Sequence, residues 1–83
     1  MKKKNKTEKK TTLDRLTPGG VATFYDVPQG GEISQRLYDL GVRRGVRVEC
    51  VLESPLGDPR AYRVRGTVIA LRRTDAEKIG IES

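Results

Sequence analysis

Residues 46–71 read VRVECVLESPLGDPRAYRVRGTVIAL, and this run decides the fold. In its first third Val46, Val48, Cys50 and Leu52 alternate with Arg47, Glu49, Val51 and Glu53. A period of two sets the first group on one face of a β-strand and the second on the other. Ser54 to Pro59 (SPLGDP) is dense in turn formers, so the chain reverses there. Alternation resumes with Tyr62 and Val64 against Arg63 and Arg65, and Gly66 interrupts it. Thr67 to Leu71 (TVIAL) is then apolar and β-branched, a third strand. Facing residues of an antiparallel pair share a side, so two inner sets with even numbers must pair at even sums. With a loop of this length Cys50 faces Tyr62 and Glu49 faces Arg63, the latter an opposite-charge pair worth about 0.2–1 kcal/mol.

Upstream of this meander the period changes. Ile33, Leu37 and Leu40 recur at i, i+4 and i+7, one face of a short amphipathic helix over about 32–40, with Gln35, Arg36 and Asp39 on the other side. Gly41 stands where a left-handed glycine ends a helix. So short a helix is unstable in isolation and must lie against the sheet. Before it, Val21 to Val27 (VATFYDV) reads as a strand bounded by the turns Thr17-Pro18-Gly19-Gly20 and Pro28-Gln29-Gly30-Gly31. Downstream, Thr74 and Glu77 have capping-box spacing, which predicts a helical turn near 75–79, and Ile81 closes in a last extended piece. The expectation is a mostly β domain: about five short strands and one inserted helix, closed into a small SH3-like barrel so that few edges stay open.

Charge divides the chain in two. Residues 1–10 carry six lysines (Lys2, Lys3, Lys4, Lys6, Lys9 and Lys10) against Glu8, whereas residues 11–83 carry ten arginines and Lys78 against ten acids. The net charge of +6 therefore resides mostly in the N-terminus. Residues 2–12 lack apolar side chains, and residues 1–12 are expected to be a disordered, electrostatic tail, with one folded domain over 13–83. Such a tail suits weak, salt-sensitive contact with anionic lipid.

The residue inventory excludes most chemistry. The chain has no histidine, one cysteine and no CxxC pair, so neither a disulfide nor a zinc staple is available. A lone cysteine and the lack of a signal segment predict a cytoplasmic setting, with the tail allowing a peripheral position at the inner face of the cell membrane. Cys50 falls at an inward strand position, where it reads as a small core hydrophobe. Ser34, Ser54 and Ser83 have no histidine base, and Gly19-Gly20 and Gly30-Gly31 read as turns rather than phosphate cradles, so no enzyme is expected.

Five short motifs, in order, resemble the ferrous iron transport protein A (FeoA) family. They are Leu16-Thr17-Pro18-Gly19, then Arg36-Leu37 with Leu40-Gly41-Val42 and Gly45, then Pro55-Leu56-Gly57-Asp58-Pro59. Gly66 with Ile69-Ala70-Leu71-Arg72, and Ala76 with Ile79 and Ile81, complete the set. Arg44 departs from the family pattern, which places proline before that glycine; the lysine tail also lies outside it. The resemblance implies an SH3-like barrel that is a bacterial, cytosolic accessory to ferrous iron uptake and contacts the FeoB-type membrane permease. It also carries an association with transition metal, which the residues do not support: no cofactor and no metal ligands are expected.

Partner binding is left as the function, and the arginines are its candidates. Arg43, Arg44 and Arg47 cluster before and within one strand, and Arg63 and Arg65 alternate on the next, an arrangement suited to an acidic partner surface. Leu56 and Gly57, at the tip of the loop between two strands, are a second candidate contact. The alternative function is a small-barrel nucleic-acid or ribosome-binding protein: Gly41 to Val51 (GVRRGVRVECV) is similar to ribosomal and elongation-factor barrels. The near-neutral domain argues against it, because any phosphate affinity would reside in the tail. A metal-responsive accessory domain is a third reading, weakened by the absence of a helix-turn-helix.

Overall fold

The computed structural model describes residues 9–83. Its elements are β1 (Lys10–Thr12), a 3-10 turn (Leu13–Arg15), β2 (Val21–Asp26), α1 (Gly31–Asp39), β3 (Arg47–Glu53), β4 (Arg60–Val64), β5 (Thr67–Leu71), α2 (Arg73–Ala76) and β6 (Gly80–Glu82). The six strands form one antiparallel sheet in the order β1-β6-β2-β3-β4-β5.

The central meander forms in the expected register. Cys50 faces Tyr62 and Glu49 faces Arg63, whose Nη1 lies 2.9 Å from Glu49 Oε1. Beyond Cys50 the pairing shifts by one residue, so that Leu52 faces Ala61. Val51 is a bulge, and it turns Leu52 from the expected interior to the outer face, 64% exposed. Phe24, Val48, Cys50, Tyr62, Val64, Leu71, Ile79 and Ile81 fill the core, and Leu37 of α1 is fully buried against them. Ile33 and Leu40, the other members of the helical stripe, are packed at its margin.

Two further expectations are corrected. Lys10–Thr12, assigned from sequence to the disordered tail, is a strand: Lys10 faces Glu82, Thr11 faces Ile81 and Thr12 faces Gly80. Lys9 and Ser83 extend the ladder with reciprocal backbone bonds of 3.1 and 3.0 Å. An outermost strand needs backbone partners rather than apolar side chains, so its composition hides it. The remaining tail lysines, Lys2, Lys3, Lys4 and Lys6, lie outside the described residues. Second, α2 starts at Arg73 and Thr74 does not cap it. The cap is distant in sequence: Asp58 Oδ1, from the β3–β4 loop, accepts a 2.8 Å bond from the Arg73 N–H.

Arg60 ties the first turn to the sheet. Its Nη1 donates to the carbonyls of Asp14 and Leu16 at 2.5 and 2.8 Å, which fixes the 3-10 turn and so seats Leu13 in the core. From the other side, the Leu13 N–H donates to Ile79 O at 2.9 Å.

Candidate functional site

A groove of about 520 Å³ opens between the end of β2, the connection into α1, the outer side of α1 and the segment after it. Its size falls within the range of small-ligand and peptide-anchor clefts. Tyr25, Pro28, Tyr38 and Val42 supply its apolar lining; Asp26, Gln35, Arg43 and Arg44 supply the polar groups.

Each of these side chains is placed by a local device. Tyr25 sits at a register break, where β2 pairs Phe24 with Ile81 and then Asp26 with Gly80 of β6. The extra residue turns the Tyr25 ring toward the groove, a usual consequence of a bulge. Tyr38 is next to Leu37 on α1 and so stands off the buried stripe, 55% exposed. Helix α1 ends in a Schellman motif: the Gly41 N–H bonds Tyr38 O at 3.0 Å and the Val42 N–H bonds Leu37 O at 2.9 Å. Gly41, at φ 91°, supplies the left-handed conformation this needs. Val42 and Leu37, which accompany the motif as its apolar contact, are both buried.

The chain then turns at once from Arg43 to Val46, with the Val46 N–H donating to Arg43 O at 3.1 Å and Gly45 at φ 90°. Positive φ at the third residue is the type II pattern, in which proline favours the second. Arg44 occupies that second position, so the turn forms without proline and presents a cation there. The two arginines fold back over the tyrosines. Arg43 Cζ lies 3.9 Å from the Tyr38 ring centroid, and Arg44 Cζ lies 5.0 Å from that of Tyr25. Lys10 Nζ, from β1, approaches the same Tyr25 ring at 4.7 Å. Contacts of this kind at exposed sites are each worth about 0.5–1 kcal/mol.

The arginines grouped in sequence are divided in space. Arg43 and Arg44 reach the groove. Arg47 starts β3 opposite Thr23 and is exposed on the outer face. Arg63 is engaged with Glu49. Arg65, expected beside Arg63 on a strand face, instead occupies the β4–β5 turn at φ 52°, with its stem against Gly41. Leu56 is 93% exposed beside Gly57, but at the opposite end of β3 from Arg43 and Arg44. A seven-residue strand, roughly 23 Å, separates the two candidates, so they are different surfaces. Lys9 and Lys10 are ordered in or beside β1, and Lys10 belongs to the groove margin. Sequence reasoning missed Tyr25 and Tyr38 as site residues, although Tyr38 stands visibly off the helical stripe.

Among the described residues no three His, Cys, Asp or Glu side chains converge to hold an ion. The Cys50 thiol is buried in the core and burial pushes its pKa up, which opposes the thiolate a metal requires. Among the described residues no helix is long and apolar enough to cross a membrane.

Compared with known families, residues 11–83 match the FeoA domain. This chain belongs to the FeoA family. The FeoA protein from Chlorobium tepidum, solved by solution NMR, is 32% identical with a TM-score of 0.80 over 86% of this chain and 68% of that one. A zinc complex of Stenotrophomonas maltophilia FeoA, described as a procaryotic SH3 domain protein and suggested as a ferrous iron transport activating factor, is 29% identical with a TM-score of 0.72. It covers 86% of this chain and 88% of that one, and with it the SH3-like character of the sheet is established. A fusion of Fe(2+) transport protein A with Fe(2+) transporter FeoB in Porphyromonas gingivalis is 34% identical over 70 residues. That match takes in 84% of this FeoA chain and 8% of the length of the fusion.

Proposed function

We infer that this FeoA chain is a non-enzymatic, cytoplasmic accessory module of ferrous iron uptake that regulates a FeoB-type permease by binding it. The observation that carries the inference is the groove. Two tyrosines and two arginines converge on a concave surface in a chain that contains neither a nucleophile–base pair nor a cluster of metal ligands among its described residues. Tyrosine and arginine are the residues on which interface binding energy concentrates. Arg43 and Arg44 can each hold a carboxylate bidentately while the tyrosine rings pack against an apolar neighbour. A relative in which the FeoA domain and the FeoB transporter are one polypeptide supports the choice of partner.

The test is capture of the detergent-solubilised permease by the full-length chain and by Arg43→Glu with Arg44→Glu. Wild-type capture should weaken by about tenfold or more in the double variant while the thermal midpoint stays within a few degrees, because both side chains are rim cations. Unchanged capture would remove the groove from the interface. Recovery of nucleic acid in place of the permease would remove the permease itself.

A further inference from the structure

The two ends of the sheet are built differently. β1, one outermost strand, carries Lys10 and is preceded by Lys9, charges of the kind that natural edges use against unwanted pairing. β5, the other, reads Thr67-Val68-Ile69-Ala70-Leu71, with no charge, no proline and no bulge against β4. Five residues of undisguised strand at an edge form a template for another strand.

Which backbone groups are free follows from the turn. Arg65 and Gly66, at φ 52° and 84°, make a two-residue hairpin loop between Val64 and Thr67. In such a hairpin the closing pair exchanges both hydrogen bonds, and bonded and non-bonded pairs then alternate. Val64–Thr67, Tyr62–Ile69 and Arg60–Leu71 are the bonded pairs, so the N–H and C=O groups of Val68 and Ala70 point away from β4. Among the described residues none of these four groups has a partner. The side chains beside them are apolar and open: Val68 is 53% exposed, and the row Leu52–Ala61–Ala70 runs across the outer face to this edge.

We propose that the free edge of β5 is a strand-addition site for an extended, acid-flanked segment of a partner polypeptide. The charges around the strand select that occupant. Arg65 precedes β5, Arg72 follows it, and neither forms an ion pair among the described residues. A second copy of this chain paired antiparallel about Ile69 would bring Arg72 of each copy to the end where the other's Arg65 stands, opposing like charges at both ends. An acidic residue before and after a short apolar-alternating stretch instead meets a cation at each end. Backbone bonds at Val68 and Ala70 supply affinity, and the open row beside Ala70 receives the alternate side chains. This site is independent of the tyrosine groove, which lies at α1 and the end of β2.

The test uses the full-length, isotope-labelled chain and two blocked peptides, EDTVTVTDE and KKTVTVTKK, followed by NMR and amide exchange. The acidic peptide should slow exchange of the Val68 and Ala70 amides specifically, and the basic one should leave them unchanged. Arg65→Glu with Arg72→Glu alters no ladder group and should weaken the acidic peptide by about tenfold or more, as should roughly 0.5 M salt. Val68→Pro removes one outward N–H and should abolish the protection. No protection at about 1 mM peptide would overturn the proposal. So would equal binding of the basic peptide, shifts confined to Tyr25 and Tyr38, or concentration-dependent protection of Val68 and Ala70 without peptide, which would make a second copy the occupant.

Discussion

Replacing Arg60 with methionine isolates the tie between the first turn and the sheet. Methionine keeps most of the apolar stem and removes the guanidinium, whose Nη1 holds the Asp14 and Leu16 carbonyls at 2.5 and 2.8 Å. The side chain is 20% exposed, and Nε lies 3.7 Å from Glu53 Oε1, a contact of charges without a hydrogen bond. Hydrogen bonds to a charged group are each worth about 1.5–3 kcal/mol net. Because two of them share one nitrogen and the head is partly hydrated, the lower end applies, and the pair sums to about 3 kcal/mol. A domain of this size has only about 4–11 kcal/mol in total. Arg60→Met should therefore lower the thermal midpoint by roughly 12–24 °C, read by far-ultraviolet circular dichroism and checked by urea titration at constant m-value. Lysine carries a compact, more strongly hydrated ammonium in place of the planar, pre-organised guanidinium, so Arg60→Lys should recover less than half of the loss. A methionine variant within about 1 kcal/mol of wild type would show that the turn is held by Leu13 burial alone.

Tyr62 gives a pH prediction. Burial, its largest cause, pushes the phenol up to about 12 from 10.0, so the folded state keeps a proton that the unfolded chain gives up. The stability linked to that proton is complete below pH 10 and is lost as pH rises toward about 12; Tyr62→Phe should flatten the decline across that window in a midpoint-against-pH series. Leu52→Thr should change stability by less than about 0.5 kcal/mol in urea unfolding, since the bulge exposes the side chain; a loss above about 2 kcal/mol would restore it to the core. Removing residues 1–8 should leave the thermal midpoint unchanged, whereas removing 1–12 deletes β1 and should cost about 1–3 kcal/mol.

What was legible in the sequence is what depends on near neighbours. The β3–β4 register followed from a parity rule and one loop length, and the Glu49–Arg63 ion pair came with it. The end of α1 followed from Gly41 standing after an apolar stripe. What was hidden depends on a partner strand or a distant loop. Val51 looks like any other residue of an alternating run, and only its pairing with β4 shows that it bulges. Asp58 caps a helix fifteen residues further along the chain, a contact that no capping-box spacing encodes.

The groove lies between these two cases. Tyr38 follows Leu37 and so stands about 100° round the helix from the buried stripe, a spacing that by itself marks an outward aromatic. Tyr25 alternates with the buried Phe24 and carries the same mark. The sequence does not show that Arg43 and Arg44 return to cover these two rings. That depends on two successive reversals, at Gly41 and Gly45, whose glycines mark turns without giving their direction. Residue types therefore named the arginines as candidates, and backbone geometry reduced five of them to two. The same geometry removed Arg65 from the strand face and left it, without an ion pair among the described residues, at one end of an open edge. A cation counted as one of a surface cluster in the sequence thus becomes, through a two-residue turn of positive φ, part of a separate recognition element.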